Sequence, residues 1–109
     1  MQTMQMDQTI FAGLNGRVMA LNRDTGQIIW EWRSPKPRSG FGSMMLDGDR
    51  LIVGFSGYLY CLEAATGRLM WQNPFTGYGV GIFSFASIRG QAQASAAAQF
   101  VANQQAEAG

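Results

Sequence analysis

The chain has 109 residues and a mass of 11.9 kDa, enough for one ordinary domain and too short for a multidomain enzyme. Charged residues make up only 14%, hydrophobic residues 47%, and glycine fills 14 positions, which excludes a disordered chain. A net charge of +1 gives no field that gathers nucleic acid or an acidic membrane, and with no His and one Cys a zinc site, a structural disulfide, a Ser-His-Asp triad and a Cys-His dyad are all excluded within one chain.

Residues 1–10 hold no Lys or Arg followed by an apolar core, so no secretory signal is read there. The longest uninterrupted apolar run, residues 58–62, falls far short of the ~18–20 residues that span a bilayer. As written, the chain is expected to be cytoplasmic and away from membranes, or periplasmic if a leader has been removed.

The first expected strand, residues 10–14, closes on Asn15-Gly16, a hairpin signal because both central residues of a type I′ turn need positive φ. Residues 17–22 return, Asp24-Thr25-Gly26 makes a second tight turn, and residues 27–32 form a third strand rich in β-branched and aromatic side chains. Pro35-Lys36-Pro37 reads as a linker. Residues 42–46, 50–55, 58–62 and 68–71 then form four strands, with Ser56-Gly57 and Thr66-Gly67 repeating the two earlier turns. The run Tyr58-Leu59-Tyr60-Cys61-Leu62 is apolar without alternation, as in a strand covered on both faces, and Cys61 within it is expected to be a small core residue. After Pro74, residues 80–88 form an orphan strand. Residues 91–109 contain eight Ala and five Gln and read either as a removable tail or as a short helix over about 94–105 anchored by Phe100.

An internal repeat governs this order. Sliding the chain by 41 places Gly13 on Gly54, Gly16 on Gly57, Leu21 on Leu62, Thr25 on Thr66, Gly26 on Gly67, Trp30 on Trp71, Gly40 on Gly81 and Ser43 on Ser84. A period near 41 with about four short strands per repeat resembles a β-propeller blade. The segments Ala20-Leu21-Asn22-Arg23-Asp24-Thr25-Gly26-Gln27-Ile28-Ile29-Trp30 and Cys61 to Trp71 resemble the signature Ala-x-Asp-x-x-Thr-Gly-x-x-x-Trp of the PQQ-like (quinoprotein-type) propeller repeat, with Asn22 and Glu63 in place of its Asp. The chain is thus expected to be all-β, with two four-stranded antiparallel blades at about 9–47 and 50–88 within residues 1–90, followed by the tail 91–109.

The resemblance implies that Trp30 and Trp71 dock between blades, against the turns Thr25-Gly26 and Thr66-Gly67. Trp32 aligns with Asn73, lies outside the motif and is expected to matter less. Two blades cannot close a propeller, and both flanks of the pair would expose large apolar side chains. The expected resolution is a head-to-tail homo-oligomer, in which residues 82–88 (Ile82, Phe83, Phe85 and Ile88) complete the first blade of a neighbour and leave no open edge. Four chains would give the eight blades most usual in the family, and three would give six. Residues 1–6, which overlay 42–47, are an alternative source of that strand.

Members of this family that oxidise alcohols hold pyrroloquinoline quinone with calcium, a catalytic Asp and often adjacent cysteines, and no matching set is found here. Asp7, Asp47 and Asp49 read as turn formers. Gly77-Tyr78-Gly79-Val80-Gly81 looks like a phosphate loop but lacks the strand before and helix after. Arg33, Lys36 and Arg38 read as a solvated loop or a site for an acidic partner. The expected function is a non-enzymatic, self-assembling propeller that acts as a scaffold or protein-interaction module through loops 34–40 and 73–79, with no catalytic residue, cofactor or metal. The alternatives are a quinoprotein-like or small-ligand enzyme whose site forms between subunits at the central channel, and a piece of a larger propeller.

Overall fold

A computed structural model describes residues 5–35 and 42–89. After one 3-10 turn at Met6–Gln8, strands β1 (Thr9–Leu14), β2 (Arg17–Asn22) and β3 (Ile28–Arg33) form a three-stranded antiparallel sheet in that order. Strands β4 (Gly42–Asp47), β5 (Arg50–Phe55), β6 (Tyr58–Glu63) and β7 (Leu69–Asn73) form a second, four-stranded antiparallel sheet, also in sequence order. The protein is all-β, as the repeat pattern requires.

The turn chemistry accounts for the strand order. Asn15 and Gly16 have φ of 51° and 75°, Ser56 and Gly57 have 49° and 88°, and each pair closes a two-residue hairpin, Leu14 on Arg17 and Phe55 on Tyr58. The β2–β3 and β6–β7 turns share two backbone hydrogen bonds. Asn22 N–H donates to Gln27 O (2.9 Å) and Gly26 N–H to Asn22 O (2.8 Å); 41 residues on, Glu63 N–H donates to Arg68 O (2.8 Å) and Gly67 N–H to Glu63 O (2.8 Å). Both sheets also shift register at the same repeat position, between Ala20 and Leu21 and between Cys61 and Leu62.

The core lies between the sheets. Val18 of β2 joins Leu51, Val53, Phe55, Tyr60, Leu62 and Ala64, and Phe11, Trp30, Trp32, Met44, Leu46 and Tyr58 pack around them. Three consecutive residues of β6, Tyr60, Cys61 and Leu62, are buried, so this strand is covered on both faces.

Three sequence expectations meet different outcomes. Among the described residues the first sheet has three strands, so the edge of β1 that corresponds to the β4-paired edge of β5 has no strand beside it. Residues 1–4 of the alternative N-terminal strand lie outside the described residues, and Met6–Gln8 turns where that strand would end. Residues 81–87 join no sheet ladder. They run along β5 instead: Gly79 O lies beside Gly57, the Phe83 ring covers Gly54, and Ser87 Oγ donates to Asp47 Oδ1 at 2.9 Å. The tail 91–109 with its expected helix, together with Lys36, Arg38 and Gly40, lies outside the described residues.

Candidate functional site

The first candidate is the junction between the blades. Trp30, near the middle of β3, tilts against Phe11 with ring centroids 5.9 Å apart, and its Nε1–H donates to the carbonyl of buried Ala64 at 2.9 Å. The ring lies over Gly67, where a Cβ would sit 2.5 Å from Trp30 Cε3. Gly67 also has φ of 79°, so two separate requirements make it glycine.

The two turns reach the same backbone shape by different side chains. Asn22 Oδ1 accepts from Asp24 N–H (2.8 Å) and Thr25 N–H (3.1 Å), the bonds an Asp would accept. Glu63 is one carbon longer and accepts the Thr66 hydroxyl instead, while Thr25 and Thr66 each accept the N–H two residues on at 3.2 Å. The Thr66 hydroxyl holds the Glu63 carboxyl below its usual range, opposed by desolvation and helped by the charge of Arg68, whose Nη2 lies 3.7 Å away.

The outer members of this constellation are open. Among the described residues no atom lies within 4 Å of a Cβ built at Gly26, although its φ of 76° is close to that of Gly67, and Trp71 is 43% exposed. Trp32, which the repeat offset places outside the motif, packs against Tyr60 with centroids 4.9 Å apart. Ser34 Oγ lies 3.4 Å from the Tyr60 hydroxyl beneath it. The buried-strand pattern at Tyr60 signalled only that β6 is covered on both faces, and not which residue covers it.

The second candidate is loop 73–79 with the segment after it. Asn73 Oδ1 accepts Phe75 N–H at 2.9 Å, Phe75 O accepts Tyr78 N–H at 3.1 Å, and Phe75, Gly77 and Gly79 all have positive φ. The ring of Phe75 meets Tyr78 edge-on at 5.5 Å and Phe83 at 5.6 Å, and Phe83 stacks on Phe85 at 5.8 Å with planes 5° apart. An apolar groove of about 240 Å³ lies between Gly57 and Phe75, Tyr78, Val80 and Ile82. Tyr78, Val80 and Ile88 are 82%, 85% and 92% exposed, and Ile82 is 42% exposed. The glycine-rich stretch 77–81 opens onto this segment.

The polar inventory is small. Asp47 is engaged by Ser87, Asp49 lies 3.5 Å from Arg50 Nε, and Arg33 is exposed on the last residue of β3. Cys61 is buried, and burial pushes its thiol up against the opposing pull of Arg50, so it stays protonated and unreactive. Among the described residues no group of three His, Cys, Asp or Glu is placed to hold a metal ion, and no helix is long and apolar enough to cross a membrane.

These repeats match known proteins. The chain is similar to quinoprotein ethanol dehydrogenase of Pseudomonas putida, 33% identical over 85 residues, covering 63% of this chain and 14% of that protein. It is similar to outer membrane protein assembly factor BamB of Pseudomonas aeruginosa, 37% identical over 78 residues, covering 62% of this chain and 20% of that protein. The same factor of Legionella pneumophila is 37% identical over 68 residues, covering 62% of this chain and 17% of that protein. The chain therefore spans a fifth or less of the length of these relatives. A family model described as outer membrane protein assembly factor BamB matches residues 14–106, and with two copies of the Thr-Gly-x-x-x-Trp blade signature on two matching sheets the chain belongs to that family of PQQ-like propeller repeats.

Proposed function

We propose that the chain is a non-enzymatic, self-assembling section of a β-propeller that acts as a scaffold and binds another protein through loop 73–79. The observation that carries this reading is the loop itself: three positive-φ residues and two local hydrogen bonds set its shape while Tyr78 stands 82% exposed beside an apolar groove. A pre-shaped loop with an exposed aromatic suits a protein partner, because little ordering entropy is lost on binding. The names of the assembly-factor relatives point the same way and favour the periplasmic alternative over the cytoplasmic expectation.

The test compares wild type with a Tyr78→Ser/Val80→Ser variant in affinity capture read by mass spectrometry. Both side chains are exposed, so the variant should melt like wild type. A partner retained by wild type and lost from the variant is expected; equal retention by both would sink the loop assignment. Cell fractionation checks the compartment.

The relative named quinoprotein ethanol dehydrogenase supports a second reading, an enzyme whose site forms between subunits at the central channel. Incubation with pyrroloquinoline quinone and calcium separates the two. The scaffold reading expects no change in quinone absorbance and no rise in melting temperature, whereas a saturable shift in both would favour the enzyme.

A further inference from the structure

We propose that the two open flanks of this chain are the two halves of one interface, occupied head to tail by a second copy of the same chain, with Trp71 of one copy seated on Thr25-Gly26 of the next. The junction inside the chain is the template. There Trp30 lies on Gly67, and β4 begins a new sheet against β1, with Met44 Cε 3.2 Å from a Cβ built at Gly13. Moving by 41 residues, Trp71 takes the place of Trp30, and it is 43% exposed. Moving back by 41, Gly26 takes the place of Gly67, with the same positive φ and open space where the indole would lie. One flank carries the knob and the other the empty seat.

The strands repeat this complementarity. Phe83 covers Gly54, the repeat equivalent of the Gly13 that Met44 covers, so residues 81–87 lie against the second sheet much as β4 lies against the first, with the contact two residues earlier than the 41-residue offset would place it. That segment joins no ladder, while among the described residues β1 has a bare edge and its sheet is one strand short of the second. A segment outside any ladder and a sheet one strand short among the described residues complete each other across two copies, which closes the open sheet edge. Exposed apolar side chains are present at both ends of the described chain: Ile10, Leu14 and Ile28 on the first sheet, and Leu69, Trp71, Ile82 and Ile88 on or after the last strand of the second. Such a contact is heterologous, because the donor and acceptor patches differ, and it propagates until the rotation closes a ring. This proposal is independent of what loop 73–79 binds.

The test uses the whole chain and two variants. Trp71→Ala removes the knob. Gly26→Leu blocks the seat at a position where a Cβ meets nothing within 4 Å among the described residues, though its positive φ adds local strain. Light scattering should give wild type a mass about three or four times that of the 11.9 kDa chain, and each variant about one times, with unchanged far-ultraviolet circular dichroism. Mixing the variants is the decisive arm. Each retains one sound flank, so a one-to-one mixture should form a dimer of twice the chain mass and stop there. A monomeric wild type would overturn the proposal and leave the flanks to further blades or another protein. So would an oligomer that both variants preserve, or a mixture that stays monomeric.

Discussion

Gly67 and Gly26 share a left-handed backbone and differ in what lies above them. An Ala at either position meets a backbone penalty of about 1–2 kcal/mol. At Gly67 the new methyl also strikes the Trp30 ring, which rests on Phe11 and is tied to Ala64 O, so overpacking adds about 1–3 kcal/mol. Urea unfolding of Gly67→Ala and Gly26→Ala, at a concentration low enough for single chains, should therefore separate the two by that increment. Equal midpoints would show that Trp30 does not grip the turn. Trp30→Phe keeps most of the apolar contact and removes the bond to Ala64 O, leaving a buried carbonyl with one bond fewer, and should cost about 1–3 kcal/mol. Glu63 supplies a pH signature for the same turn. Its folded pKa is depressed, so its contribution is present above the unfolded carboxylate pKa and is lost as pH falls through the folded value. Wild type should lose melting temperature on acidification across the carboxylate range slightly faster than Glu63→Gln, and parallel profiles would remove the Thr66 contact as a stabilising feature.

At the scale of elements, the sequence made strand order legible because turn residues are local. Asn15-Gly16, Ser56-Gly57 and the two Thr-Gly turns each dictate a backbone shape within four residues, and they make four of the six connections between the seven strands. The non-alternating run in β6 likewise announced a strand covered on both faces. Two features were hidden. The contact of Trp32 with Tyr60 joins residues 28 apart on different sheets, and a repeat offset that matches Trp30 to Trp71 cannot display it. The fate of residues 80–88 was half visible, since their apolar pattern reads as a strand while the structure gives them no ladder. The chain lays them across Gly54 and anchors them through Phe83 and Ser87. Removing residues 91–109 should therefore leave the oligomer intact, whereas removing 80–109 should take the inner strand from each neighbour and reduce the native mass to that of one chain. Light scattering on both truncations checks this, and an oligomer that survives the longer one would assign the exchanged strand to residues 1–6.

At the scale of the whole molecule, the question is which force would hold copies together. The three ion pairs among the described residues, Arg23 with Asp24, Arg50 with Asp49 and Arg68 with Glu63, each lie within a single hairpin or turn, and none joins the two sheets. The inner junction is built from indole, phenol and aliphatic side chains, with the Trp30 bond to Ala64 O as a polar tie. An outer junction made on the same plan would contain Trp71, Ile82 and the β1 edge, again with few charges. Salt at 1 M shortens the screening length to about 3 Å and weakens surface ion pairs, while it leaves apolar burial intact. The native mass should therefore be the same in 0.1 M and 1 M sodium chloride, and modest urea should lower it before the sheets unfold. The melting temperature should rise with protein concentration, because assembly stabilises the folded chain by mass action. Dissociation at 1 M salt with intact circular dichroism would show that charge, and not the Trp71 seat, holds the copies together.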